Sequence, residues 1–163
     1  LGEAKSNMFM VQTNLSSTYE KLGRLESALQ MKRDVYYGRL RLNGEEHEET
    51  LRAALNYVVS LVNLERFEEA KSLLCKTMPV ARRVLGDCDE LTLSLRANYA
   101  RAIYEDPAAT LDDLREAVTT LEDTVRIARR VLGGAHPLTT AIEDDLREAR
   151  AALAISETPP LGA

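Results

Sequence analysis

Catalysis needs reactive side chains that converge, and the candidates in this sequence are spread apart. The two histidines, His47 and His136, occupy equivalent positions in different inter-helix connections. With whole helical units between them they cannot share a metal ion or a proton, and they are read as helix-entry residues. The carboxylate pairs Asp112-Asp113 and Asp144-Asp145 are sequence neighbours. Adjacent helical residues point about 100° apart, so neither pair faces one substrate as acid and base. Cys75 and Cys88 are too few for a disulfide scaffold and have no cluster of His or Cys to make a metal site. They are expected as free thiols in a reducing compartment, Cys75 on the apolar side of a helix and Cys88 in a connection. The sequence has no phosphate-cradling Gly-rich loop, Gly-x-Ser-x-Gly elbow or His-Glu-x-x-His pair. No catalytic residue, cofactor or metal ligand is therefore expected, and the chain is read as no enzyme.

Charge and composition narrow the partners. The formal net charge is −5, which offers no general attraction to nucleic acid or to an anionic membrane. The pairs Arg82-Arg83 and Arg129-Arg130 share one phase but lack the interleaved aromatics of a nucleic-acid surface, so they are read as solvated helix ends. No apolar run approaches the roughly 20 residues of a membrane span, and no charged-then-apolar leader opens the chain. The expectation is a cytoplasmic protein with a protein or peptide partner, no nucleic acid and no membrane.

What positions the remaining polar residues is a repeat. Asn14, Asn56 and Asn98 recur every 42 residues, as do Gly2, Gly44 and Gly86. Ala28 and Ala70 keep the same step, while Ala117 and Gly133 each follow after 47. The five extra residues therefore fall between Asn98 and Ala117, in a turn around Pro107. Lengthening a turn costs little loop entropy, so the repeat survives it. The chain opens at the repeat's own boundary, Leu1-Gly2, so further repeats are expected upstream in a longer parent.

Each unit reads as two amphipathic helices. Leu51, Ala54, Leu55, Val58, Leu61 and Val62 step by three and four, as do Phe67, Ala70, Leu74, Ala81 and Val84. Low aromatic content (5 %) and the absence of Trp suit close-packed helices better than a sheet sandwich. Seven helices are expected, over 4–22, 25–42, 48–64, 67–85, 90–105, 110–132 and 137–155. Gly44, Gly86 and Gly133 end helices, Pro137 opens one, and Thr110 with Asp113 has capping-box spacing. Ala28, Ala70 and Ala117 are expected where paired helices approach closely. Pro79, inside 67–85, predicts a bend near Thr77 or Met78. The repeats are placed at 2–43, 44–85 and 86–132, with a closing helix 137–155 inside a domain 1–155 and a flexible tail 156–163.

Three connections carry a family resemblance. Val131-Leu132-Gly133-Gly134-Ala135-His136-Pro137-Leu138-Thr139, and more loosely 84–92 and 42–50, resemble the junctions of the 42-residue tetratricopeptide repeats of the kinesin light chain type. The resemblance covers nearly the whole chain. It implies an all-α, right-handed superhelix of antiparallel hairpins whose first helices line a concave face that binds peptides or proteins. It does not imply a motor function, because the repeat is reused widely.

Carried over by position, the concave face would comprise Thr13, Asn14, Ser17 and Lys21, then Arg52, Asn56, Val59 and Asn63. Ala97, Asn98, Arg101 and Tyr104 follow, and last Asp144, Asp145 and Glu148. A carboxamide both donates and accepts, so the Asn series can bracket the backbone of an extended peptide; equally, each Asn can bond a neighbouring helix and fix stacking. At the fourth position Asp145 departs from the series. Lys21, Arg52 and Arg101 against Asp144, Asp145 and Glu148 suit a ligand acidic toward the early repeats and basic toward the last helix. Two functions follow: a non-catalytic adaptor that binds a partner in the groove, or an architectural segment of a larger assembly that stacks through its end helices.

Overall fold

The computed structural model describes residues 2–158. Within them lie seven helices and no strand: α1 Gly2–Lys21, α2 Leu25–Asn43, α3 Glu48–Asn63, α4 Phe67–Leu85, α5 Glu90–Tyr104, α6 Leu111–Val131 and α7 Pro137–Glu157. The chain divides into two compact units, Leu1–Leu85 and Gly86–Ala163. In the first, α1 packs on α2, α2 on α3 and α3 on α4. In the second, α5, α6 and α7 pack on one another.

Every helix end falls within two residues of its sequence expectation, because chemistry at the ends fixes it. Gly44, Gly86 and Gly133 hold φ of 82°, 90° and 90°, a conformation that clashes for a side chain with a Cβ. Three residues on, His47, Asp89 and His136 are N-caps, accepting the backbone N–H of Glu49, Leu91 and Leu138 at 3.2, 2.8 and 3.2 Å. Thr110 and Asp113 form the reciprocal capping box. The turns 22–24 and 64–66 are copies: Arg24 N–H bonds Tyr19 O and Arg66 N–H bonds Leu61 O, both at 2.8 Å. Gly23 (φ 72°) and Glu65 (φ 58°) take the same left-handed place in them. The longer connection 105–110 is braced by Asp106, whose carboxylate accepts Ala108 N–H at 2.9 Å.

Small residues let the helices close. Ala28, Ala70 and Ala117 are fully buried. The second unit's core joins Leu93, Ala100, Leu121, Ala128, Ile142 and Ala149, all at 0 % exposure. Burying a Leu or Ile side chain contributes about 1.5–3 kcal/mol, so packing of these faces carries most of the helical stability. The first unit is bound partly by polar groups. Glu20 on α1 accepts from Lys32 on α2 at 2.6 Å and from Ser60 on α3 at 2.7 Å. Burial pushes the Glu20 pKa up, but those two bonds and the lysine charge outweigh it and hold it below 4.5.

Three local expectations meet particular outcomes. Cys75 is exposed, not on the buried side of α4: Leu74 beside it takes the core position. Pro79 lies inside a continuous α4 and is exposed; Thr77 Oγ1 donates to Leu73 O at 3.0 Å in the turn before it. The helix α7 continues to Glu157, and residues 159–163 of the expected tail lie outside the described residues, as does Leu1 of the expected upstream boundary.

Candidate functional site

The sequence places its polar series on the first helix of each hairpin, and in the second unit these side chains meet. The helices α5 and α7 pack directly, with Ala97, Ala100, Ile142 and Ala149 buried in that unit's core. At the end of α5, Tyr104 is buried by its ring yet turns its hydroxyl onto α7. It donates to Asp145 Oδ1 at 2.9 Å and lies 3.4 Å from Glu148 Oε2. One turn back, Arg101 Nε donates to Glu105 at 2.7 Å. Four of the sequence-derived residues, Arg101, Tyr104, Asp145 and Glu148, thus form one patch, joined by Glu105.

The electrostatics of this patch follow from burial. Desolvation raises the Asp145 pKa above its usual 3.8; the Tyr104 hydroxyl and the Arg101 charge pull it down, and Glu148 and Glu105 push it up again. Burial first, and then the Asp145 charge, hold the Tyr104 phenol well above its usual 10. The phenol is therefore a fixed donor at neutral pH. Three carboxylates, Glu105, Asp145 and Glu148, face one guanidinium, Arg101, so the patch is net acidic.

In the first unit the polar series opens onto a smaller cavity of about 130 Å³. Thr13 and Asn14 from α1 and Arg52 and Asn56 from α3 line it, together with Arg39 and Glu49. The last two form an ion pair between α2 and α3 and had no signal in the sequence beyond opposite charge. Arg39 also stacks its guanidinium 5.6 Å from the Phe9 ring centroid. Arg52 is exposed and bonds Glu48 one turn back at 2.6 Å.

The remaining residues sit apart from these two patches. Ser17 is exposed with its Oγ 3.2 Å from Thr13 O, and Lys21 is exposed in the last turn of α1. Val59 is half-buried, Asn63 exposed at the end of α3, and Asp144 exposed and paired with Arg147 at 2.5 Å. Ala97 is 4 % exposed and belongs to the core rather than to a surface. The Asn series divides: Asn14 is exposed, Asn56 half-buried at the cavity, and Asn98 donates to Ser94 O of its own helix at 2.9 Å.

Two segments of the chain, residues 10–49 and 108–138, match the family model described as tetratricopeptide repeat. Those two segments are similar to tetratricopeptide repeats. Two solved structures similar to the chain are also of this kind. One comprises nearly identical TPR-like repeats assigned to a kinesin light chain of Podosopora anserina, at TM-score 0.72 and 22 % identity, covering 90 % of this chain and 67 % of that one. The other is BtubC (BKLC) from P. vanneervenii, at TM-score 0.68 and 16 % identity, covering 98 % and 68 %. At these identities the likeness is one of fold, an all-α helical repeat. No curated protein matches the sequence. Tetratricopeptide repeats generally serve protein–protein interaction and are typically non-catalytic scaffolds. Among the described residues no cluster of three or more His, Cys, Asp or Glu could hold a metal, and no helix is long and apolar enough to cross a membrane.

Proposed function

We propose that this chain is a non-catalytic binding module that holds a peptide or protein segment on the first helices of its hairpins. The observation that supports it most is the bond from Tyr104 to Asp145, which joins side chains of two successive first helices into one polar, net-acidic patch. A scaffold that only stacked would have no need of the half-buried Asp145 carboxylate beside a buried phenol, since its desolvation is a cost that an apolar pair would avoid.

The two patches ask for different chemistry. The acidic patch suits a lysine or arginine side chain, which would take the carboxylate lone pairs that Tyr104 and Arg101 leave free. The cavity at Asn14, Arg52 and Asn56 offers carboxamides to a peptide backbone and a guanidinium to a carboxylate. Each unit thus offers its own chemistry, the first to an acidic or backbone group and the second to a basic one. The test is fluorescence anisotropy with labelled arginine-rich and glutamate-rich peptides. Arginine-rich peptide is expected to bind, and Asp145→Lys with Glu148→Lys to weaken it at least tenfold. Failure of the arginine-rich peptide to bind, or equally tight binding of it by the double variant, removes this reading. The second reading, an assembly segment that stacks through its end helices, is supported by the exposed apolar side chains of α1.

A further inference from the structure

The groove between α2 and α4 carries polar groups that packing does not explain. Both helices pack on α3, and beside them lie two adjoining cavities of about 250 and 310 Å³. Tyr37, Leu73 and Lys76 line both, so the two form one continuous groove within the first unit. Tyr36 lines the first cavity and Tyr57 the second. These two tyrosines are only 8 % and 7 % exposed. Neither hydroxyl has a hydrogen-bond partner among the described residues, and neither is closed off from solvent. The Tyr36 ring centroid lies 5.0 Å from that of Tyr37 and 6.2 Å from that of Tyr57, so the three phenols form one cluster.

The repeat does not require this cluster. In the phase set by Ala28, Ala70 and Ala117, Tyr36 and Tyr37 correspond to Met78 and Pro79 on α4 and to Val125 and Arg126 on α6. The unpartnered hydroxyl of Thr50, which lines the same groove, is different: Thr92 and Thr139 repeat it, so it belongs to the fold. A position that needed only apolar bulk could carry Met, as α4 does, and would leave no phenol without its hydrogen bond.

Charge and donor chemistry select the occupant. Lys76 in both cavities repels a cation, while Glu45 in the first and Glu68 and Glu69 in the second repel an anion. A neutral segment fits. Burial raises the Tyr36 and Tyr57 phenols above their usual 10, so they stay protonated and, with Lys76, offer donors at neutral pH. A run of prolines is the complement: it has no N–H, its carbonyls are unpaired in the polyproline II helix, and its rings pack on aromatic walls. We propose that this groove binds a proline-rich segment of a partner protein, its rings against Tyr36, Tyr37 and Tyr57 and its carbonyls accepting from the phenols and Lys76. The proposal stands apart from the binding reading above, which uses the patches around Asp145 and Asn56.

Fluorescence anisotropy of a labelled decaproline peptide titrated with the intact chain tests it. Saturable binding is expected, with none for a Gly-Ser peptide of equal length. Tyr37→Ala, at a residue 47 % exposed, should weaken binding about tenfold through loss of an aromatic anchor. Tyr36→Phe with Tyr57→Phe keeps both rings, removes only unpartnered hydroxyls, and should weaken binding roughly tenfold through two lost hydrogen bonds. Helical circular dichroism and the thermal midpoint of that double variant should match wild type. Failure of decaproline to bind wild type, or equal binding by either variant, overturns the proposal. Tighter binding of a trimethyl-lysine peptide than of decaproline overturns it in favour of a cation cage.

Discussion

Tyr104 on α5 gives its hydroxyl to Asp145 on α7 at 2.9 Å, and Asp145 stands where the earlier repeats carry Asn14, Asn56 and Asn98. The one departure from the Asn series is thus the member that is bonded across to a neighbouring first helix. Replacing an amide by a carboxylate there turns a neutral position into the centre of a net-acidic patch.

Tyr104→Phe should cost about 1–2 kcal/mol, because it leaves a half-buried carboxylate without its neutral donor. Urea denaturation at pH 7 measures this. The same substitution should raise the Asp145 pKa further, since that hydroxyl bond holds it down.

The Asp145 pKa also sets a pH dependence. Its folded value is raised above 3.8, so its contribution to stability is fully present below that value and lost as pH rises through the folded pKa. Asp145→Asn should flatten the stability profile just above pH 3.8, and should be no less stable than wild type at pH 7. Denaturation at a series of pH values reads both.

Glu20 behaves in the opposite sense. Its folded pKa is depressed below 4.5 by Lys32 and Ser60, so the stability it contributes is present above 4.5 and lost as pH falls through the folded value. Glu20→Gln should destabilise the chain at pH 7 by about 2 kcal/mol, since Lys32, 8 % exposed, loses its partner. Below the folded pKa the two proteins should converge.

Glu65 holds φ 58° at the turn position where the preceding hairpin has Gly23. A left-handed conformation costs a residue with a Cβ about 1–2 kcal/mol. Part of that is offset by the greater unfolded-state entropy of glycine. Glu65→Gly should therefore stabilise by roughly 0.5–1 kcal/mol, seen as a higher thermal midpoint.

Much of this was legible in the sequence because it is local. Gly44, Gly86 and Gly133 mark helix ends by their own backbone conformation, and the steps of three and four from Leu51 to Val62 show which side of α3 is buried. The exposed Cys75 and the core Ala97 show the limit: a one-residue error on a helix is a 100° rotation, enough to exchange surface for interior. Pairing between helices was not legible. Glu20 meets Lys32 and Ser60 at separations of 12 and 40 residues, and Arg39 meets Glu49 and Phe9, through packing that no periodicity encodes. The apolar outward face of α1 escaped too, because amphipathicity alone does not say which face a neighbour covers.

Binding of a basic partner segment at the patch around Asp145 is tested by titrating a labelled arginine-rich peptide into wild type and into Asp145→Lys/Glu148→Lys, followed by anisotropy at constant ionic strength. Saturable binding to wild type and at least tenfold weaker binding to the double variant, with unchanged helical content, are expected. Equal binding by the two proteins would contradict it.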